Sequence, residues 1–125
     1  ANLEPEAAIG TLCKRLAEVI VAQRDGANAR VFPIGGTRVL GYPAPHFAVA
    51  DGAADRAFVY LNVRIAAGRD RALVAATGEA LIAAVRAHFA AVFASRPVGI
   101  TLQIDEGAPV FDAKHSNLHP LFKDH

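Results

Sequence analysis

The stretch AFVYLNVRIAAGRD, residues 57–70, decides how the rest of the chain is read. It begins as a strand. Val59, Leu61, Val63 and Ile65 fall on one side and are all aliphatic, while Phe58, Tyr60, Asn62 and Arg64 form a mixed set on the other. That alternation predicts one dry face and one wetter face. Ala66-Ala67-Gly68 then turns the backbone, and Arg69 stands where a long helix is expected to start. A cation at that point opposes the partial positive charge of a helix N-terminus, so it needs a reason. One reason is a solvated ion pair with Asp70 or another carboxylate; the other is an anionic ligand.

Downstream, Leu73, Thr77, Leu81, Val85, Phe89 and Val92 repeat at helical spacing, which predicts one helix over residues 70–95, about 39 Å long at 1.5 Å per residue. Arg96-Pro97 ends it. Ile100, Leu102 and Ile104 alternate with Thr101, Gln103 and Asp105, a second strand with one dry face. The tail over 107–125 is turn-rich and carries His115 and His119.

Upstream, Ile9, Leu12, Cys13, Leu16, Val19 and Ile20 predict an amphipathic helix to about Gln23, with Asn2 as its cap and Pro5 and Glu6 in its first turn. Cys13 on that apolar face reads as a small buried hydrophobe. A polar loop around Asp25-Gly26 follows. Residues 31–40 read as a strand bent at Pro33 and Gly35-Gly36. Asp51-Gly52 is a turn into the organising strand, which accounts for Asp51 without an acid–base role. The order is helix–strand, then strand–helix–strand. The second half is a complete β-α-β unit, and the first lacks its leading strand if the halves are a repeat.

The bulk properties fit one domain over residues 1–125. The chain is 53% hydrophobic and 20% charged, so it can bury a core and is not disordered. A net charge of +1, with 13 scattered Lys and Arg, argues against a nucleic-acid or membrane-surface footprint. One cysteine allows no internal disulfide, which suits the cytoplasm. No signal peptide or membrane span is expected, nor a phosphate loop or structural zinc motif.

Three stretches carry a resemblance. Residues 32–38, FPIGGTR, are similar to an FPxxGxR segment. Ala50-Asp51-Gly52, then Ala57-Phe58-Val59, then Ile65-Ala66-Ala67-Gly68-Arg69 are similar to ADG…AFV…IGAGR. Ala87-His88-Phe89-Ala90-Ala91 and Lys114-His115-Ser116-Asn117-Leu118-His119 are similar to an HFAA helix and a KxNNxH ending. The family with these segments is that of 5-carboxymethyl-2-hydroxymuconate isomerase, within the tautomerase superfamily. The resemblance implies an α+β fold like that of macrophage migration inhibitory factor. Two pseudo-symmetric β-α-β halves pack two helices on a mixed sheet, with the first strand missing here. It implies a homotrimer with sites between subunits, and a cofactor-free, metal-free isomerisation in homoprotocatechuate (4-hydroxyphenylacetate) catabolism. A proton moves from the 2-hydroxyl of a dienol polycarboxylate towards C5.

The resemblance also implies residue roles. Arg38 is the expected catalytic arginine, binding the 1-carboxylate and 2-oxygen and stabilising the dienolate; Arg69 is expected to hold a distal carboxylate beside a helix N-terminus. A permanently charged, planar guanidinium suits both tasks. The family's base is an N-terminal proline amine at the head of a strand, which the resemblance places upstream of Ala1. Pro5 cannot replace it, because its nitrogen is in a peptide bond. The rival readings are a non-catalytic trimer that binds small anions through Arg38 and Arg69, and another tautomerase-superfamily activity.

The other candidates rest on the residues alone. His115 and His119 have the i, i+4 spacing of a metal pair. Ser116, Asn117 and Pro120 disfavour a helix there and no third ligand is evident, so a tail packed at a subunit interface is preferred. His88 reads as a partly buried structural histidine. Tyr42 and Phe58 are candidates for a pocket lining, with nothing to choose between them.

Overall fold

The computed structural model describes residues 3, 7–53 and 55–122. Two parallel strands, β1 (Ala57–Ala66) and β2 (Val98–Gly107), form the sheet. They pair in unbroken register from Ala57 opposite Val98 to Ala66 opposite Gly107. Both alternate as expected: Val59, Leu61 and Val63 of β1 join Val98, Ile100 and Leu102 of β2 against the core, and the residues between them are exposed. The class is α+β, and the mixed sheet is represented among the described residues by this parallel pair.

The helices cover the dry face. Helix α1 (Ile9–Val21) buries Leu12, Leu16 and Val19. Helix α2 (Arg71–His88) lies against it and buries Thr77, Leu81 and Val85, joined in the same cluster by Phe89 and Val92. Thr77 keeps its buried hydroxyl satisfied by donating to the Leu73 carbonyl at 2.8 Å. The expected cap at Asn2 and first turn at Pro5 and Glu6 lie outside the described residues.

Two elements differ from the sequence reading. The single helix expected over 70–95 is broken at Phe89 (φ −98°, ψ 12°), and a short helix α3 (Ala90–Ser95) follows. Two side chains fix the break. Phe89 is sunk in the core, and His88 Nε2 donates 2.5 Å to the Ala7 carbonyl, so both rings are held by groups outside the helix. His88 is accordingly a half-buried structural residue. The strand expected over 31–40 contains instead a 3-10 turn, Ile34–Gly36. Beyond it Thr37 and Val39 are half-buried and Arg38 and Leu40 exposed, the alternation of a strand, yet no strand pairs with them among the described residues. Alternation sets which side faces in; a ladder still needs a neighbour.

The corner between β1 and α2 depends on Gly68, whose φ of +107° lies in a region that side chains avoid. Asp70 then caps α2 by accepting from Ala72 N at 3.1 Å. Gly68→Ala is expected to lower stability by about 1–3 kcal/mol. Chemical denaturation checks it, and an unchanged midpoint would show that the corner tolerates a side chain.

Candidate active site

A cavity of about 980 Å³ runs along the edge of β1 that β2 does not occupy. Side chains from both faces of β1 border it, Tyr60 and Asn62 from one and Leu61 and Val63 from the other. Only a space alongside the strand meets both. Leu12, Cys13 and Leu16 of α1 border it too, as do residues 38–42. That segment is pressed on α1: a methyl group added to Gly41 would overlap Ile9 and lie 3.3 Å from Cys13 Sγ. Cys13 is half-buried, in keeping with a small hydrophobe.

Both expected arginines border this cavity. Arg38 is exposed, just beyond the Ile34–Gly36 turn, and among the described residues it has no ion pair. Arg69 is half-buried and more constrained. Its guanidinium carbon stands 4.6 Å from the centre of the Phe32 ring. Its Nη1 donates to the Ala66 carbonyl at 3.1 Å, and its Nε to the Val31 carbonyl at 3.4 Å. It forms no pair with Asp70, whose carboxylate is spent on the helix cap. The Asp70 carboxylate thus occupies one N–H at the start of α2, the end beside which Arg69 stands.

Several lining residues escaped the sequence reading. Phe32 is buried and its ring lies under the Arg69 guanidinium, a cation–π contact. Its signal was the first residue of FPIGGTR. Arg64 also borders the cavity; Asp105, opposite it in the ladder, accepts instead from Asn62 Nδ2 at 2.7 Å. Lys114, His115, Ser116 and His119 bring the tail to the same space. His115 precedes the 3-10 turn His119–Phe122, so the two histidines share no helical face. Tyr42 and Phe58 both line the cavity, whereas Asp51 accepts from Ala53 N and pairs with Arg56, the work of a turn.

A concave, mostly apolar space with a few cations on its wall suits a small anionic molecule with an unsaturated body. Comparison with known proteins agrees with that chemistry. The family described as 5-carboxymethyl-2-hydroxymuconate isomerase matches residues 1–122. A 5-carboxymethyl-2-hydroxymuconate Delta-isomerase of Escherichia coli is 34% identical over 97 residues, which are 78% of this chain and 77% of that protein. A crystal structure of a 5-carboxymethyl-2-hydroxymuconate delta-isomerase superposes with a TM-score of 0.84 at 46% identity, covering 91% of this chain and 82% of its own. A 5-carboxymethyl-2-hydroxymuconate isomerase from Deinococcus radiodurans R1 gives the same score at 34% identity, covering 98% and 87%. The chain belongs to the 5-carboxymethyl-2-hydroxymuconate isomerase family.

Proposed function

We propose that the protein converts 5-carboxymethyl-2-hydroxymuconate to its 2-oxo-3-ene isomer, a cofactor-free step in homoprotocatechuate catabolism. The observation that carries this is the meeting of Arg38 and Arg69, neither paired with a carboxylate among the described residues, on one cavity in a chain of this family. A base removes the 2-hydroxyl proton, the O–H electron pair becomes the C2 carbonyl, and the diene shifts so that C5 gains a proton. No atom is lost and no electron is transferred. Arg38 binds the 1-carboxylate and 2-oxygen, where negative charge grows as the proton leaves. Arg69, held over the Phe32 ring, takes a distal carboxylate.

The base is the amine of an N-terminal proline on a strand upstream of Ala1. What supports this is the edge of β1 that has no strand partner among the described residues, on a cavity that residues 37–42 also line without a strand partner there. A strand laid between them would satisfy backbone groups on both sides. The assembly is a homotrimer. A parallel sheet is normally covered on both faces, and here one face is bare, with Phe58 53% and Tyr60 54% exposed. The setting is cytoplasmic, as a lone cysteine suggests.

Loss of dienol absorbance in the ultraviolet tests the reading. Arg69→Ala is expected to raise KM about 10- to 100-fold, the equivalent of one charge-assisted hydrogen-bonded contact, with a smaller change in kcat. Arg69→Lys should recover only part, lacking the planar fork. Saturable dicarboxylate binding without turnover, from protein carrying a free N-terminal proline, would favour an anion-binding role instead.

A further inference from the structure

We infer that His119 is a positioning residue for Arg38. The inference starts from two glycines. Gly35 is buried, and its backbone is not in the positive-φ region, so no strain explains a glycine there. Space does. A methyl group added to Gly35 would lie 2.9 Å from His119 Nδ1 and 3.1 Å from both Cγ and Cα of the same residue. One added to Gly36 would lie 3.2 Å from Pro33 Cγ and 3.8 Å from His119 Cε1. The imidazole therefore sits against the bare backbone of the Ile34–Gly36 turn, closer than any side chain at Gly35 would permit.

That turn delivers Arg38. It is closed by Gly36 N donating to the Pro33 carbonyl at 3.2 Å and Thr37 N to the Ile34 carbonyl at 3.1 Å. The Thr37 hydroxyl also donates to the Pro33 carbonyl at 2.9 Å, and Arg38 follows at once. Nothing comparable holds Arg38 itself, whose side chain is exposed and has no ion pair among the described residues. The direction of its guanidinium thus depends on where the turn sits, and His119 is the side chain wedged against that turn from the tail. The tail is otherwise an exposed element over residues 111–121, and the bonds within it are short-range: Lys114 Nζ to Asp112 Oδ2, Leu118 N to Ser116 Oγ and Leu121 N to the Leu118 carbonyl. His119 and Arg38 border the same cavity, so the wedge acts on the wall where the reaction is placed.

The inference rests on Arg38 being the residue that stabilises the dienolate, and the test separates the two. In full-length protein, His119→Ala should lower kcat by roughly 10- to 100-fold, the range for a misplaced catalytic group, while KM moves much less. The same substitution in an Arg38→Ala background should have almost no further effect, because a misplaced residue cannot be lost twice. Gly35→Ala, which pushes the ring away, should reproduce the His119→Ala defect and add little to it. His119→Phe should keep most of the activity, since a flat ring is what the turn requires. Thermal melting of each variant reports the folded fraction, and a loss caused by unfolding alone would persist in the Arg38→Ala background. If Arg38→Ala lowers kcat strongly and His119→Ala or Gly35→Ala leaves it unchanged, the positioning role is overturned and the functional reading stands. If Arg38→Ala leaves turnover intact, the functional reading itself fails. A His119→Phe variant as poor as His119→Ala would also overturn positioning by packing.

Discussion

Arg38→Ala is expected to reduce kcat by about 100- to 1,000-fold, the loss seen when one donor to a developing oxyanion is removed. In the proposed reaction, charge collects on an oxygen as the 2-hydroxyl proton leaves, and the cavity is lined in part by apolar residues of α1, beside which electrostatic contacts are worth more than in water. Arg38 can reach such an oxygen without giving up a competing carboxylate, since among the described residues it has none. For the same reason its removal should leave the fold alone, with stability changed by no more than about 0.5 kcal/mol. KM should rise as well, because in the proposed role one residue serves both the 1-carboxylate and the 2-oxygen. Arg38→Lys should fall between, keeping the charge and losing the two-pronged grip. Steady-state kinetics beside a denaturation curve decides it: a kcat within about twofold of the parent would remove Arg38 from the chemistry.

Phe89→Ala addresses stability, with an expected loss of about 3–5 kcal/mol. Phe89 is only 1% exposed, and it sits where α2 passes into α3. Its amide still donates to the Val85 carbonyl at 3.0 Å and its carbonyl still accepts from Phe93 N at 2.8 Å, so the junction is held by backbone bonds as well as by the ring. The ring meets His88 edge to face, with centroids 4.9 Å apart at 84°. Truncation would leave a void in the cluster shared by α1, α2 and the sheet, and would release the contact that angles His88 towards Ala7. Against a typical total of about 5–15 kcal/mol, such a loss can consume most of the stability. Urea unfolding reads it directly, with Phe89→Leu as the milder control. A loss below about 1 kcal/mol would mean that the core closes over the gap.

The parts of the fold that periodicity can see were legible in the sequence. The alternation of Val59, Leu61 and Val63, and of Ile100, Leu102 and Ile104, located both strands and their dry faces. The stripe from Thr77 to Val92 located the buried side of the long helix. Its break at Phe89 was hidden for a physical reason: Phe89 and Val92 stay in phase with Leu81 and Val85 across the kink. Residues 37–40 show the opposite failure, since they alternate like a strand but have no neighbour to pair with among the described residues. Within the site, Arg38 and Arg69 were named from motif likeness, and the structure brings them to one cavity. Phe32 under Arg69, Arg64 at the rim and His119 against Gly35 were not legible, because each depends on segments far apart in sequence. Gly35 and Gly36 looked like a bend. They turn out to be clearance for a ring from the other end of the chain.

The β1–β2 pairing has a consequence for how the protein comes into being. Parallel neighbours cannot be joined by a tight turn, so every rung of this ladder links residues separated by the whole of α2 and α3. No local hairpin can seed it. Closing so large a loop is entropically unfavourable until the intervening helix has collapsed onto its apolar stripe, which makes the helical layer the template and the sheet its product. The wall that carries the cavity is therefore expected to be among the last surfaces to form, after the helices packed behind it.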